Sequence, residues 1–454
     1  MRLLIIGGSD AAIMAGLRAR RLDPRAHVTL VVADRYPNYS ICGIPYHIAG
    51  DVSDWHDLAH RTRTDLEAAG LSLRLGVRAT AIDVAAHAVT VAGSDGNREA
   101  MGYDRLVVAT GAVPAVNGIT GLSGPGALGP ADGVHLLHGM DQMHEIQRDL
   151  AVRRPRRAVI IGAGYIGMEM AEALIRRGLD VTLLQRGPEV LPTLDPDLGS
   201  LVRDELSRHG VHVRVGTAVR GLRRGERGPV VIGEDTTGVR EIGADLVIAV
   251  TGVRPNTGLL TAAGATTGPG AAIAVDDHMR TGLPDVYAAG DGVTTKHRLL
   301  GDTWLPLGTT AHKQGRIAGE NAVGGDAAFA GVIGTQVVKV FGLVAARTGL
   351  REDEAHDVGI SARSVTATPD DHKAYYPGSH PIAIRLTGDS DTGRLLGGQL
   401  VGAYGAEIAK RSDVLAAAIF TGLTVPQLCD LDLAYTPPLA APWDAVQAVA
   451  QLWD

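Results

Sequence analysis

Cys42 is one of only two cysteines in 454 residues, and it stands in the stretch Pro37-Asn-Tyr-Ser-Ile-Cys-Gly-Ile-Pro-Tyr-His47. Two cysteines so widely separated make no disulfide framework, no Cys-x-x-Cys redox pair and no cysteine-rich zinc site, so no metal is expected. What is left to a lone thiol is chemistry as a thiolate, and that depends on its pKa. Gly43 and Pro45, just after it, are consistent with the start of a short helix, whose positive end lowers a thiol's pKa. The plain alternative is a small structural side chain. That is the reading for Cys429, which has no such context.

The stretch follows directly on a predicted nucleotide-binding unit. Residues 3–6 form an apolar strand, and in the turn "GGSDAA" Gly7, Ser9, Asp10 and Ala12 are the positions that would meet a nucleotide. A helix-like run then reaches Arg21, and residues 28–32 give a second buried strand. Residues 158–161, the turn "GAGYIG", a helical run to Arg177 and the strand 181–184 repeat the plan. Strand, glycine turn, helix and strand within about 30 residues make the dinucleotide-binding βαβ unit, whose helix N-terminus receives the pyrophosphate. The second unit carries the full fingerprint, Gly162-x-Gly164-x-x-Gly167. The first departs from it, with Ala11 and Ala12 where glycines are usual.

The acid that normally holds the ribose hydroxyls is displaced in both units. In the first, Val32 occupies its place and Asp34 follows two residues later. In the second, the place belongs to Gln185 with Arg186 beside it. A neutral side chain next to a guanidinium suits a 2′-phosphate, which favours NADPH over NADH; the bland alternative is a solvated arginine at a strand end.

Further along, "YDRLVVATGAVP" (103–114) and "ADLVIAVTGVRPN" (244–256) read as buried strands ending in the turns Thr110-Gly111 and Thr251-Gly252. The strand in 285–293 closes on Asp291, at the sheet end where ligands of α/β folds bind. From about residue 330 the texture changes to alternating strands (335–343, 382–386) and an apolar helix (414–421), an α+β domain. The 59 glycines gather at strand ends and show no repeat. A net charge of −7 with scattered arginines argues against nucleic acid. No apolar run approaches the roughly 20 residues of a membrane span. The short N-terminal apolar run passes straight into glycines and is read as a strand, not a signal peptide, so the expected location is the cytoplasm.

Taken together, the two βαβ units, the "ATG" and "TGVRPN" turns, "YAAGD" and the tail resemble the two-dinucleotide flavoprotein disulfide reductases over essentially the whole chain. The single cysteine of "YSICGIPY" resembles the branch containing coenzyme A disulfide reductase, NADH peroxidase and NADH oxidase. The resemblance implies an FAD-binding domain from residues 1–118 and 250–328, an NAD(P)H-binding domain at 119–249 and a dimerisation domain at 329–454. It makes Cys42 the redox cysteine beside the flavin of a homodimer. Tyr165 would cover the flavin until nicotinamide displaces it, with Glu169 near the same face. Asp291 would hold ribityl hydroxyls, and Leu307 and Gly308 would contact the isoalloxazine.

Peroxidase and oxidase carry a histidine in the first glycine turn, where this chain has Asp10. Coenzyme A disulfide reductases lack that histidine and have tail tyrosines that reach the partner's active site. "HKAYYPG" and "LDLAYTPPLAAPWD" resemble those motifs and make Tyr376 and Tyr435 candidates for donating to a departing thiolate. Arg18 and Arg21 match positions that can hold the coenzyme's phosphates, although arginines on a helix face are usually just solvated. Around the cysteine the match is poorer, because the substrate-contacting serine and asparagine are replaced by Asn38 and Ile41. The expected activity is therefore NAD(P)H-dependent reduction of a small disulfide through FAD and Cys42, coenzyme A disulfide first. The alternatives are a peroxidase or oxidase cycling through a Cys42 sulfenic acid, and a non-catalytic NAD(P)H-sensing flavoprotein.

Overall fold

The structure is a computed structural model that describes residues 1–116 and 118–453. The apolar run Arg2–Ile6 lies inside a five-stranded parallel sheet, between His27–Val32 and Arg105–Val108, with Leu71–Leu75 and Val286–Ala288 at the edges. Strands of this kind are apolar on both faces because helices cover both. The order reverses around the first strand, and that is where a crevice opens. A second sheet repeats the arrangement, with Arg157–Ile161 between Asp180–Leu184 and Leu246–Ala249. The two glycine turns leave their sheets alike: Gly7 N donates to Val31 O and Gly162 N to Leu184 O, each at 2.9 Å.

The strand Val286–Ala288 pairs with Arg105–Val108, so the first sheet is completed by chain that returns after the second has been built. Each parallel sheet is flanked by a three-stranded antiparallel sheet, Val77–Gly102 in the first case and Ala218–Gly243 in the second. The tail is a five-stranded antiparallel sheet under the helices Ile408–Thr421 and Ala445–Ala450.

Two expected tail elements differ in extent. The strand expected over 335–343 ends at Val340, and Phe341 (φ 51°) with Gly342 turns the chain into Leu343–Gly349. Phe341 N and Gly342 N donate to Glu172 and Glu205 of the second unit, and these bonds tie the turn to a neighbouring domain rather than to the sheet. The helix expected from residue 414 starts at Ile408, because Arg411 and Ser412 are buried in spite of their polarity.

Cys42 sits in a 3₁₀ turn, Ile41–Gly43, that runs into the short helix Ile44–Ala49, which Gly50 ends in a left-handed conformation (φ 92°). Ile44 and Ile48 point into a core shared with Met143, Met170 and Leu174 of the second unit and Val338 and Val340 of the tail. Burying each isoleucine contributes about 1.5–3 kcal/mol. One core therefore fixes the thiol's helix against both other domains.

Candidate active site

Around the first sheet, the turns that should face a nucleotide are stapled to one another. Thr110 Oγ1 donates to Asn256 O at 2.8 Å and Asn256 N to Gly111 O at 2.9 Å, joining the two Thr-Gly turns. Gly111 (φ 65°) and Gly252 (φ 100°) have no atom within 4 Å of where a Cβ would stand, so both leave open space. Ser9 precedes the helix Asp10–Leu22 with no side-chain cap, leaving its first amides unclaimed by that side chain. Asp34 accepts from Tyr36 N at 2.8 Å and is held above the usual carboxylate range, first by burial. Asp291 is pushed up to about 6 by burial and then by the Asp10 carboxylate. Its carbonyl accepts from Trp304 Nε1 at 2.9 Å, and Gln314 fixes the preceding Gly290 amide at 3.0 Å, so the Gly308–Ala322 helix sets this loop. Leu307 caps that helix, and Gly308 lies against Asp10.

Around the second sheet the three fingerprint glycines have distinct surroundings. Gly162 (φ 108°) turns too close to Val250 O for any side chain, and Gly167 lies against Gly162 O with no room for a methyl. Gly164 has open space on its Cβ side, where a pyrophosphate would approach. Gln185 is bonded back into this turn, accepting from Ala163 N and donating to Glu189 O, both at 3.3 Å. Arg186 is exposed.

The Tyr165–Arg176 helix turns its next face toward Cys42. Tyr165 OH lies 3.1 Å from Thr193 Oγ1. Glu169 accepts from Tyr46 OH at 3.1 Å, and Tyr46 belongs to the helix just after the thiol. Burial, opposed by that hydrogen bond and reinforced by Glu172, pushes Glu169 up to about 7. One turn on, Glu172 accepts from Lys339 Nζ and Phe341 N, each at 2.7 Å, and ties this helix to the tail sheet. Neither Tyr46 nor the Glu172 anchor was expected from the sequence; only tertiary packing joins residues so far apart in the chain.

Cys42 is exposed, although neighbouring protein atoms crowd its thiol. The helix-start expectation for its pKa is overturned. The thiol is held above its ordinary value by burial first, then by the carboxylates of Glu169, Asp10 and Asp291, against a smaller downward effect of the backbone. Burial and then three carboxylates set the direction, not the start of a six-residue helix. Cys429, by contrast, packs on the tail core with Sγ 3.9 Å from Gln447 O.

Among the described residues no hydrogen bond joins the remaining candidates to the thiol. Arg18 is engaged with Glu320 at 2.9 and 2.6 Å, whereas Arg21 is exposed. Asn38 is buried in a left-handed conformation (φ 61°), donates from N to Gly8 O at 2.7 Å and leaves Oδ1 without a partner. Tyr376 and Tyr435 are 43% and 45% exposed on two tail loops joined by Lys373 N to Pro437 O at 3.3 Å. The buried Arg411 pins both loops, reaching Asp371 O at 2.7 Å and the Asp444 carboxylate at 3.0 Å. Arg411 is a site-supporting residue that the sequence hid within what looked like a polar lead-in to the helix. Among the described residues no hydrogen bond or ring contact joins either tyrosine to Cys42 within the chain.

Two parallel sheets, each with a glycine turn at its switch point, and a thiol at their junction define an oxidoreductase built on two dinucleotides. Comparison with protein families places it: the description pyridine nucleotide-disulphide oxidoreductase matches residues 1–315, and the dimerisation domain of that family matches residues 335–446. The chain belongs to the pyridine nucleotide-disulphide oxidoreductases. It is 35% identical, over 99% of its length and 98% of the relative's, to the CoA-dependent NAD(P)H sulfur oxidoreductase of Pyrococcus furiosus. It matches the structure of an NAD-dependent persulfide reductase from A. fulgidus with a TM-score of 0.93 and 35% identity, covering 100% of this chain and 83% of that one. It also matches an engineered water-forming NADPH oxidase derived from a Lactobacillus brevis NADH oxidase, with a TM-score of 0.92 and 27% identity over 100% and 98% of the two chains. Enzymes of this family work with FAD and NAD(P)H. The open glycine turns and the unpartnered buried Asn38 Oδ1 and Thr310 Oγ1 fit such cofactors. Among the described residues no helix is long and apolar enough to cross a membrane, and no group of three or more His, Cys, Asp or Glu could hold a metal ion.

Proposed function

We propose that this protein is a cytoplasmic homodimer that uses NADPH to reduce a small disulfide through FAD and Cys42, with coenzyme A disulfide as the first candidate. The observation that carries the reading is the exposed Cys42 thiol on the first unit, immediately before a helix whose Ile44 and Ile48 pack into the core of the second. In this reading the FAD-binding domain is 1–118 with 250–328, the NAD(P)H-binding domain is 119–249 and the dimerisation domain is 329–454. Bound FAD supplies the passage of an electron pair from nicotinamide to sulfur.

The protein's own residues orient and protonate. Gly7, Ser9, Asp10 and Ala12 with Thr110, Gly111 and Gly252 hold the FAD, Asp34 takes its ribose, and Asp291, Leu307 and Gly308 take its ribityl and ring portions. Gly162, Gly164 and Gly167 receive the nicotinamide dinucleotide, Tyr165 gates it and Glu169 faces it. Gln185 and Arg186 supply the preference for NADPH: the engineered NADPH oxidase carries replacement of an aspartate by alanine and of the neighbouring alanine by arginine, a carboxylate lost beside a guanidinium gained. Cys42 attacks the disulfide and holds one half as a mixed disulfide. Tyr376 and Tyr435 of one protomer donate to the departing thiolate in the crevice of its partner. Arg21 takes the substrate's phosphates, joined by Arg18 once it leaves Glu320, and Asn38 offers its unpartnered Oδ1; the CoA dependence in the name of the Pyrococcus furiosus relative supports a coenzyme A thiol there. Carboxylates of Asp10, Glu169 and Asp291 around the sulfur disfavour a peroxidase cycle, which would place an anionic sulfenate among them.

Cys42→Ser tests this directly. With NADPH against a panel of coenzyme A disulfide, oxidised glutathione, aromatic disulfides, peroxide and oxygen, disulfide turnover disappears in the variant while FAD stays bound and is still bleached by NADPH. Undiminished disulfide turnover by the variant would make Cys42 structural, and peroxide outrunning every disulfide in the parent protein would overturn the choice of acceptor.

A further inference from the structure

His312 has no part in the chemistry described so far, yet it is coupled to the crevice. Asp10 opens the Asp10–Leu22 helix, and His312 lies one turn into Gly308–Ala322. These helices touch backbone to backbone, Gly315 against Ala11 and Gly319 against Ala15. That contact brings His312 Nδ1 to 3.6 Å from Asp10 Oδ2, while the same nitrogen is 2.9 Å from Gly308 O. The two side chains differ in exposure, 43% for His312 and 24% for Asp10. The pair thus has a wet end and a drier end, and the drier carboxylate is one of those that act on Cys42 and Asp291.

Reducing a disulfide has a fixed proton requirement. NADPH, one disulfide and one proton give NADP⁺ and two thiols, so each turnover draws one proton from water beyond the one that travels with the hydride. In the first step the Cys42 thiolate forms a bond to one substrate sulfur, the substrate S–S bond breaks, and its electron pair leaves on a thiolate that must be protonated. In the second, the electron pair originating in NADPH breaks the mixed disulfide, returning the Cys42 thiolate and the second half of the substrate, which takes the hydride's proton. An ionised carboxylate cannot supply the water-derived proton by itself. Imidazole is the side chain whose charge ordinarily changes between pH 5 and 8.

Resting on the disulfide-reductase reading above, we propose that His312 and Asp10 form the proton inlet of this active site, with His312 taking a proton from water and passing it through Asp10 to restore the proton that Tyr376 or Tyr435 gives to the departing thiolate. His312 acts through Asp10 and does not itself touch substrate. A proton on Nδ1 has both acceptors close by, the Gly308 carbonyl at 2.9 Å and the Asp10 carboxylate at 3.6 Å. A charged imidazole there also offsets an anion that otherwise opposes formation of the Cys42 thiolate. Asp291, from the loop after the strand Val286–Ala288, is the other charged group coupled to Asp10; the two helices themselves also carry Lys313, Arg316 and the Arg18–Glu320 pair.

The test compares His312→Ala and His312→Asn in the FAD-loaded protein with its fastest disulfide. Asparagine keeps a donor for Gly308 O but carries no exchangeable charge. General acid catalysis is worth roughly 10²–10⁴-fold, and partial replacement by water leaves an expected drop in kcat of about tenfold or more in both variants. The loss is larger at pH 6, where an imidazole ordinarily carries its charge, than at pH 8; added imidazole restores turnover to His312→Ala, and bleaching of the flavin by NADPH keeps its rate. Parent-like kcat and pH profile in both variants overturn the proposal. So does a loss in His312→Ala that asparagine repairs, or one that imidazole fails to rescue, since a structural role explains either. A parent protein that reduces no disulfide, or a Cys42→Ser variant that still does, overturns the underlying reading before His312 is reached.

Discussion

The two dinucleotide units solve the same packing problem in opposite ways. Both need their first helix to lie almost in contact with a neighbouring backbone. In the second unit the glycine is on the helix itself, Gly167, pressed against the Gly162 carbonyl. In the first unit the helix carries Ala11, Ala12 and Ala15, and the missing glycines are on its neighbour: Gly315 and Gly319 of Gly308–Ala322 stand against the Ala11 and Ala15 carbonyls. Close approach is a property of a pair of surfaces, so either member can give up its side chain. A fingerprint confined to one turn sees only one of the two solutions.

The comparison is broken most severely at Gly319. A methyl there meets the Ala15 backbone, which has nowhere to go, and overpacking of this kind costs about 1–3 kcal/mol. Because the same helix begins at Leu307 and Gly308, Gly319→Ala is expected to lower the melting temperature and to shed FAD on gel filtration, read as lost visible absorbance per chain. Full flavin content and an unchanged melt would mean that the first unit does not depend on its neighbour's glycines.

Gly167→Ala is the matching change in the second unit. Its methyl collides with Gly162 O and moves the turn that receives the pyrophosphate. KM for NADPH is expected to rise about tenfold, equivalent to ~1.4 kcal/mol, while FAD content stays at that of the parent protein. Loss of FAD in this variant would show that the two units are not separable.

Why the sequence showed so much of this architecture and so little of the thiol's surroundings is a matter of range. The strands around Ile5 and Ile160 are continuous apolar runs with glycine just after, a local signal. The direction of the Cys42 pKa depends on residues 10, 169 and 291, which only the fold assembles, and reading the local helix start alone gave the wrong sign. The tail helix start was missed for a related reason. Arg411 looks solvated in sequence but is buried because Asp444 and the Asp371 carbonyl, both distant in the chain, satisfy it. His312 reads as an ordinary helix-surface residue until Asp10 is found beside it.

A second contrast between the units is one of charge, since the helix of the second places Glu169 where that of the first has Met14, two residues beyond the third position of each turn. Glu169 loses its proton at about 7, and its charge holds the Cys42 thiol up. Raising pH through 7 therefore adds an anion beside the sulfur just as the thiol should begin to ionise. Alkylation of Cys42 by iodoacetamide in the FAD-loaded protein is expected to climb less steeply with pH than for a free thiol. Glu169→Gln removes the drag and speeds alkylation several-fold at pH 8, an effect of about 1 kcal/mol on thiolate formation. Equal rates in the two proteins at every pH would show that the Glu169 charge does not act on the thiol, leaving it to burial, Asp10 and Asp291.

The smallest effect belongs to Ala12→Gly, which restores to the first unit the glycine that the fingerprint expects there. If the fingerprint were a requirement of FAD binding, this change would improve affinity. Because the Ala12 methyl is already accommodated beside Gly7, the change should instead leave FAD affinity unchanged and act only through the helix, where glycine is less favourable than alanine by roughly 0.5–1 kcal/mol. A melting temperature lowered by a few degrees or less, with the same flavin titration curve, is the expected result. Tighter FAD binding by the glycine variant would mean that the Ala12 methyl beside Gly7 is a compromise, and that the fingerprint glycine is a requirement of this turn after all.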